Sequence, residues 1–344
     1  MGIQAQVSYL CEAARWAPSA DNSQPWRLSW DGEGLAVRYD TARVQNLSFP
    51  PESPATLVAM GALLENLHQA AQAAEMDLES GNRDDAYSWL GVPASASLQK
   101  GCSDHPLFDR HTNRFPFRTD SLPTSLTDWL LSQNEGGACM TVLSSAQQVR
   151  QVARLVGQAS EIRFQTQEVH EALGRSLRFS PQEVAAADGL DVATLHLPPG
   201  GRALLSFVRD WQRMRALNRL GAYKFFAGIE ARSFANTSAV LAVVGSADRA
   251  GSLDAGRLLQ RAWIELNRRG LAVHPFYVVA DQLFRRDDGS LPPALQGRGN
   301  TLAEEAATVF DLHDRKLYML LRVGYPTRTP VRSRRLPLEA ISAL

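Results

Sequence analysis

The stretch that most constrains the fold is the continuous apolar run NTSAVLAVVGS at residues 236–246. A run without alternation is typical of a strand that is buried in the centre of a sheet. A second run, KLYMLLRVGYP at 316–326, predicts another buried strand. Between them, the apolar residues of 254–270 recur at helical spacing and predict a helix that ends at its terminal glycine. The chain should therefore combine central strands with helices that pack on them.

The N-terminal part of the chain shows the same mixture of patterns. Residues 3–16 predict a helix, and WRLSW and LAVRYD flank DGEG, which is a hairpin signal. A buried helix is predicted over 55–74, and a strand pattern returns in YSWLGVPASASLQ. Farther on, 138–144 predicts a strand and 145–178 a long helical stretch. The order of elements predicts the α+β class, with helices on a mixed or largely antiparallel sheet.

A segment of helical character, residues 179–232, is inserted before the central strand. Inserted helices of this kind commonly cover a site, which makes the segment a candidate lid. Packing or dimerisation is an equally good interpretation of the same pattern.

Charge and composition exclude several classes of protein. The 344 residues hold 36 Lys and Arg against 36 Asp and Glu, and no basic run precedes the C-terminal region, so we expect no nucleic-acid partner. No secretion signal and no bilayer-length apolar run occur, which predicts a cytoplasmic protein without a membrane partner. Cys11, Cys102 and Cys139 are far apart and suit a reducing compartment.

Several catalytic motifs are absent from the sequence. It has no G-x-G-x-x-G after a strand, no P-loop, no H-E-x-x-H, no C-x-x-C and no G-x-S-x-G. CSDH at 102–105 lacks a second pair to complete a metal site, and we expect no metal. His274 is predicted to be a packed residue rather than a catalytic base.

Two arginine-rich segments remain as candidates for chemistry. In RHTNR, Arg110 and Arg114 flank Thr112, a spacing that can aim two guanidinium groups and a hydroxyl at one anion. The C-terminal segment 328–335 holds four more arginines, and taken alone it is typical of a solvated basic tail.

The loop APSADNSQPW at 17–26 is too rich in special residues to be a generic turn, which suggests that it contacts a ligand. It resembles the A-P-S-x-x-N-x-Q-P-W loop of the nitroreductase family of FMN proteins. DRHTNR resembles the R-x-[ST]-x-R phosphate motif of that family, and LLRVGYPTRTPVRSRRLPLEAI resembles its closing strand and C-terminal basic pair. The resemblance covers nearly the whole chain and implies a nitroreductase-like fold.

The order of the motifs resembles the tandem, Acg-type branch of that family, in which one long chain folds as a pseudo-dimer. The resemblance implies two fused halves, 1–105 and 106–344, with one complete site built from the loop of the first half and the arginines of the second. We therefore expect one non-covalent FMN per chain, in a monomeric pseudo-dimer or a homodimer.

The resemblance also implies roles for individual residues. Gln24 and Trp26 would fix the loop, and Val278 stands where many family members have glycine. The expected FMN contacts are Arg110, Thr112 and Arg114, with Arg334 or Arg335, at the phosphate; Pro18, Ser19 and Asn22 at the ribityl chain and ring; Asn66 at the pyrimidine edge; and the backbone of Tyr277 and Val278 near N5.

The implied function is an FMN-dependent oxidoreductase. NADPH or NADH would deliver hydride through flavin N5, and the acceptor would be an electron-poor small molecule of the nitro or quinone type. Two alternatives stay open: a protein that sequesters flavin in a closed site, and a flavin oxidase or dehydrogenase that acts on a peptide or small metabolite.

Overall fold

Two sheets organise the described residues of the computed structural model, which are 3–44, 49–81, 86–93 and 104–343. The first sheet has the strand order β13-β1-β2-β4-β3, and all its pairs are antiparallel except β13 with β1. The hairpin predicted around DGEG is confirmed, because Trp30 pairs with Leu35 across it. The strands of this sheet are β1 (Trp26–Trp30), β2 (Gly34–Tyr39), β3 (Glu79–Gly81), β4 (Ser88–Gly91) and β13 (Ser342–Ala343).

The second sheet is antiparallel and has the order β11-β12-β10-β7-β6, with β5 paired to the end of β12. The two strands predicted to be buried, β10 and β12, lie side by side at its centre. Its strands are β5 (Phe117–Arg118), β6 (Asn134–Glu135), β7 (Ala138–Leu143), β10 (Ala239–Gly245), β11 (Ala272–Phe276) and β12 (Lys316–Pro326). A separate parallel pair joins β8 (Leu177–Arg178) to β9 (Leu190–Asp191).

The helices cover these sheets, and the predicted α+β class is confirmed. Helices of the first part of the chain are α1 (Ile3–Arg15), α2 (Thr41–Val44) and α3 (Pro54–Ala73). The remaining helices are α4 (Thr124–Ser132), α5 (Ala146–Arg163), α6 (Gln167–Ser176), α7 (Pro181–Ala185), α8 (Gly201–Val208), α9 (Trp211–Asn218), α10 (Ala222–Ala235), α11 (Arg249–Arg268), α12 (Val278–Asp287), α13 (Gln296–Phe310) and α14 (Leu338–Ile341).

The helical stretch predicted over 145–178 is divided into two helices. The first ends at Arg163 and the second begins at Gln167. The hydroxyl of buried Thr166 donates to the carbonyl of Ile162 at 3.0 Å, so a side chain hydrogen-bonds a backbone acceptor at the end of the first helix. Such local bonds compete with helix continuation.

The position of strand β10 between two layers of helices explains why its sequence is uniformly apolar. Its alternate residues pack into two different clusters, Val240 and Val244 with α5 and α13 on one face, and Leu241 and Val243 with α11 on the other. The second sheet is therefore covered on both faces. The first sheet packs against α1 and α3 through a third cluster that includes Leu10, Trp26 and Met60.

Helices α3 and α11 meet in a seam between the two sheets, and the contact is reciprocal. A Cβ on Gly61 would lie 2.1 Å from the carbonyl oxygen of Leu253, and a Cβ on Gly256 would lie 2.1 Å from that of Val58. Only glycine permits backbones to approach this closely. A contact in which each partner repeats the other's role is the form expected about a local two-fold axis.

The end of the chain crosses the predicted boundary between the halves. Strand β13, at Ser342–Ala343, pairs in parallel with β1 of the first sheet, although it belongs to the predicted second half, 106–344. The segment 327–337 that leads to it carries the C-terminal arginines back toward the N-terminal loop. Within the described ranges, no helix is both long and apolar enough to cross a membrane.

Candidate functional site

One small cavity brings together residues that are far apart in the sequence. Arg110, Thr112, Arg114 and Arg335, four of the predicted phosphate contacts, all line it. Other lining residues are Trp16, His111, Thr194, Val331, Arg332 and Ser333. The cavity therefore draws on the end of α1, the RHTNR loop, the inserted segment and the C-terminal segment.

Arg110 is nearly fully buried, with 3% of its surface exposed. One Nη donates to the carbonyl of Trp16 at 2.9 Å, and the guanidinium lies 4.4 Å from the ring centroid of Trp263. Its Nε is buried and has no hydrogen-bond partner among the described residues. A buried charge with an unused donor is costly unless a ligand completes it.

Arg335, which also lines the cavity, has an unused donor as well. It donates to the side-chain oxygen of Asn22, and its Nε is also buried without a partner in the described part of the chain. Burial lowers its pKa to about 10, and the nearby positive charges of Arg332 and Arg15 add to that effect. Burial, followed by the charges of Arg335 and Arg332, also holds the pKa of Arg110 well below its usual value.

Arg114 lies at the border between the cavity and the N-terminal loop. Burial lowers the pKa of Arg114 to about 10, while the carboxyl of Asp21 opposes that shift. One Nη of Arg114 donates to the hydroxyl of Thr194 at 3.3 Å. The RHTNR loop itself is fixed by Asn113, whose amide donates to the carbonyl of Arg328 at 3.1 Å.

The N-terminal loop has an unusual backbone that side chains hold in place. Asp21, Asn22 and Gln24 have φ angles of 50°, 58° and 48°, in the left-handed region that non-glycine residues rarely adopt. Gln24 is fully buried; its amide donates to the carbonyl of Ala187 at 3.0 Å and its oxygen accepts from the backbone of Leu336 at 3.0 Å. This geometry agrees with the predicted role of Gln24 in fixing the loop.

Asn22 links the loop to the C-terminal segment. Its amide donates to the carbonyl of Arg334 at 3.0 Å and to that of Ala187 at 3.3 Å, while its oxygen accepts from Arg335. The hydroxyl of Ser19 accepts from the backbone of Gln24 at 2.9 Å. In this structure both side chains are committed to other parts of the chain, and their predicted ribityl and ring contacts stay predictions, as does that of half-buried Pro18.

The inserted segment 179–232 contacts this region at two residues. Its Ala187 carbonyl accepts from both Asn22 and Gln24, and its Thr194 lines the cavity beside Arg114. The segment therefore contacts the loop and the cavity at once, which is the position that a lid would take.

Three other predicted residues lie outside the cavity. Asn66 is fully buried; its amide donates to the carbonyl of Ala13 at 2.8 Å and its oxygen accepts from Gln260 at 2.6 Å. Tyr277 and Val278 stand where β11 leads into α12, with the Tyr277 ring 5.4 Å from that of Phe49. The structure thus brings four of the predicted phosphate residues together, while the predicted pyrimidine and N5 contacts stay predictions.

Arg332, Trp16 and Thr194 were not predicted as site residues. The Arg332 guanidinium lies 4.7 Å from the Trp16 ring centroid and donates to the carbonyl of Phe108. Of the predicted alternatives Arg334 and Arg335, only Arg335 lines the cavity, and Arg334 is exposed. The position of Arg332, three residues before Arg335, was the one feature of the sequence that could have indicated it as a site residue.

No general base stands out among the described residues. His274 packs near Phe234 and Phe276, and burial, followed by the charges of Arg322 and Arg114, lowers its pKa well below the usual value. No group of His, Cys, Asp and Glu in the described ranges could hold a metal ion, and Cys102 of the CSDH stretch lies outside those ranges. Among the described lining residues, arginines can neutralise an anion, and no carboxylate is present to pair with His111.

The side chains of the cavity fit an oxyanion. Two buried guanidinium Nε donors lack partners in the described part of the chain, and no carboxylate balances Arg110 or Arg335 there. Arginine forks are the usual partners of phosphate in such places.

Comparisons with known proteins gave distant resemblances. No protein-family model matches the chain. It is 26% identical over 279 residues to the uncharacterized protein MT1398 of Mycobacterium tuberculosis (strain CDC 1551 / Oshkosh), covering 77% of this chain and 38% of that protein. The chain thus spans well under half of that relative's length.

Two solved structures illustrate the structural resemblance. The FMN-dependent nitroreductase NfnB from Mycobacterium smegmatis, in complex with NADPH, shares 17% identity with a TM-score of 0.41, over 70% of this chain and 97% of that one. A nitroreductase with bound FMN from Bacteroides fragilis NCTC 9343 shares 7% identity with a TM-score of 0.39, over 72% and 100% of the two chains.

Proposed function

We propose that this chain is an FMN-binding oxidoreductase of the nitroreductase-like type. The observation that carries the proposal is the pair Arg110 and Arg335, which line one cavity with buried, unpartnered Nε donors and no balancing carboxylate in the described residues. These arginines belong to the two segments whose sequences resemble the phosphate-binding elements of that family.

The side chains divide the binding task between the ends of the chain. The FMN phosphate would be neutralised by Arg110, Arg114 and Arg335, and the hydroxyl of Thr112 would donate a hydrogen bond to it. Arg332 would close the cavity against Trp16. The N-terminal loop would lie along the rest of the ligand, held in its left-handed backbone by Gln24. Bound FMN would supply hydride transfer at N5, with NADPH or NADH as donor and an electron-poor nitro or quinone compound as acceptor.

We also propose that the chain is a tandem pseudo-dimer with halves near 1–105 and 106–344. The reciprocal glycine contacts between α3 and α11 support a local two-fold arrangement. Strand β13 supports it as well, because the end of the second half pairs with the sheet of the first. The loop comes from the first half and the arginines from the second, so one FMN per chain is expected.

A second candidate, a flavin-sequestering protein, is favoured by one contact. The Ala187 carbonyl of the inserted segment accepts hydrogen bonds from both Asn22 and Gln24, which holds that segment closed on the loop. A closed segment would retain flavin while denying access to a nicotinamide donor.

The visible spectrum of the purified protein distinguishes the two candidates. After FMN has been added and the excess removed, a yellow protein that bleaches on anaerobic addition of NADPH or NADH supports the oxidoreductase. A yellow protein that bleaches only with dithionite supports sequestration. A protein that remains colourless contradicts both.

Replacing two cavity arginines tests the phosphate assignment directly. Arg110→Ala with Arg114→Ala should weaken FMN binding by about a thousandfold, since each charge-assisted contact contributes roughly 1.5–3 kcal/mol. Arg118→Ala with Arg150→Ala, which removes two exposed arginines, is the matched control and should bind FMN as the wild type does. Quenching of FMN fluorescence measures both constants, and equal affinities would refute the assignment.

A further inference from the structure

A second surface, on the inserted segment, combines exposed apolar side chains with unpaired positive charge. Leu220 is 86% exposed, Phe225 63% and Ile229 52%. Large apolar side chains at such exposure are unfavourable in water and, when grouped, mark an interaction site. We call this surface the basic tip; its members are Arg215, Arg219, Leu220, Lys224, Phe225 and Ile229.

The basic tip is exposed because α10 packs on the rest of the molecule through its opposite face. The opposite face of α10 packs on α5: the Phe226 ring lies 5.5 Å from that of Phe164, and Glu230 accepts from Arg163 at 2.5 Å. Phe225 and Ile229, four residues apart, share the outward face with Lys224. Leu220 stands at the turn between α9 and α10, which makes it the most protruding of the three.

The charge around the tip is strongly asymmetric. Residues 201–235 hold seven Lys and Arg against two Asp and Glu, a net charge of +5 in a chain whose formal net charge is zero. None of these seven cations forms an ion pair with a carboxylate in the described ranges. Both acidic residues have other partners. Glu230 pairs with Arg163, and Asp210 caps α9 by accepting from the backbone of Arg213 at 3.0 Å.

Three kinds of occupant could cover such a surface. A second copy that paired through the same face would bring two groups of unpaired cations together, which is unfavourable. A protein partner would need a surface shaped to side chains that protrude at a helix turn. A layer of anionic head groups accepts this shape, since it takes up protruding Leu, Phe and Ile while its charge pairs with Lys and Arg.

We propose that the basic tip binds the surface of a membrane rich in anionic lipid. Leu220, Phe225 and Ile229 enter the head-group region, and Arg215, Arg219 and Lys224 contact the lipid phosphates. The association is reversible and interfacial, so it is compatible with the absence of a spanning helix in the described residues. It concerns binding to a bilayer surface, whereas the expectation from sequence of no membrane partner rested on the lack of a spanning run, and it does not depend on flavin binding.

Flotation of the full chain with lipid vesicles tests the proposal. The protein should float with vesicles of phosphatidylglycerol and phosphatidylcholine, remain unbound with pure phosphatidylcholine, and dissociate as salt is raised. Leu220→Glu with Phe225→Glu should lower the partition coefficient at least about tenfold. Leu131→Glu, at a 53% exposed leucine on α4, is the matched control and should bind as the wild type does.

A charge-reversal pair provides a second, independent arm. Arg219→Glu with Lys224→Glu should lower binding to the anionic vesicles by about tenfold or more, and Arg27→Glu on β1 should not. Circular dichroism and Tm verify that each variant is folded before it is compared. Equal binding to both vesicle types, unchanged binding of both tip variants, or a solution dimer that Phe225→Glu dissociates would each overturn the proposal, the last in favour of a second copy.

Discussion

Two groups of buried and partly buried arginines in this molecule differ in what balances their charge. In the seam between α3 and α11, Arg261 donates to Glu65 at 2.9 Å and to Glu135 at 2.6 Å, and Arg257 lies 2.9 Å from Glu135. In the cavity, no carboxylate accompanies Arg110 or Arg335 among the described residues. The same residue type is thus neutralised by the protein in one place and left unbalanced in the other.

The pKa directions follow this difference. The hydrogen bond to Glu65 is the largest cause of the raised pKa of Arg261. Burial and neighbouring cations lower the pKa of Arg110 and Arg335 instead. A balanced buried arginine contributes to packing and orientation, while an unbalanced one is a candidate for binding an anion from solution.

Breaking the seam should have the largest effect on stability. Glu65, whose side chain is 1% exposed, contacts both Arg257 and Arg261, so Glu65→Gln leaves two partly buried cations with less counter-charge. Removing one partner of a buried pair costs about 3–5 kcal/mol, and we expect a loss of that size in the free energy of unfolding. Urea denaturation followed by circular dichroism measures it.

An exposed ion pair supplies the control for the seam. Glu161 accepts from Arg298 at 3.0 Å, and both side chains are substantially exposed. Glu161→Gln should cost less than about 1 kcal/mol because water already screens that pair. Equal losses in Glu65→Gln and Glu161→Gln would mean that the seam is not held by its charges.

Removing a cavity arginine should change the free energy of unfolding little, in contrast to breaking the seam. Arg335→Met removes a partly buried charge that no carboxylate balances in the described residues, so without an added anion the free energy of unfolding should stay within about 1 kcal/mol of the wild type. Added inorganic phosphate should raise the Tm of the wild type, and Arg335→Met should lose most of that gain because a charge-assisted contact worth roughly 1.5–3 kcal/mol is gone.

The neighbouring arginine makes this test specific. Arg334 is exposed, and the loop contacts it through its backbone carbonyl, so Arg334→Met should keep the full phosphate-induced rise in Tm. Thermal unfolding of the three proteins with and without phosphate gives the comparison. A loss of the phosphate effect in Arg334→Met, with none in Arg335→Met, would reverse the assignment.

The sequence predicted the central strands, the hairpin and three of the four arginines in the cavity, because local patterns and a short motif carry that information. It could not choose between Arg334 and Arg335, since the choice depends on how 327–337 runs across the loop. Arg332 and Thr194 were missed for a similar reason. Their positions depend on long-range packing of the C-terminal and inserted segments.

Asn66 shows a similar limit. Its expected pyrimidine contact stays a prediction, and the internal bonds of its amide to Ala13 and of its oxygen to Gln260 were not visible in the sequence. Buried amides must find partners, and those partners lie 53 and 194 residues away in the sequence. Short patterns cannot reveal such pairs.

Asp21 is an intermediate case between the balanced and the unbalanced arginines, and its replacement should have the smallest effect on stability. It brings a carboxylate near Arg114 at the edge of the cavity, yet burial raises its pKa despite a hydrogen bond from Ser176 and the charges of Arg114 and Arg163. A carboxyl whose pKa is higher in the folded chain stabilises the fold at acidic pH and loses that contribution as pH rises through the folded pKa.

Asp21→Asn should therefore be more stable relative to the wild type at pH 7 than at pH 4.5. Asparagine tolerates the left-handed backbone at this position, where φ is 50°, so the change isolates the charge. We expect a small difference, about 1 kcal/mol at neutral pH, from thermal unfolding of both proteins across that range. If the wild type instead gains stability over Asp21→Asn as pH rises, Asp21 balances Arg114 as Glu65 balances Arg261, and the cavity is less unbalanced than its other two arginines indicate.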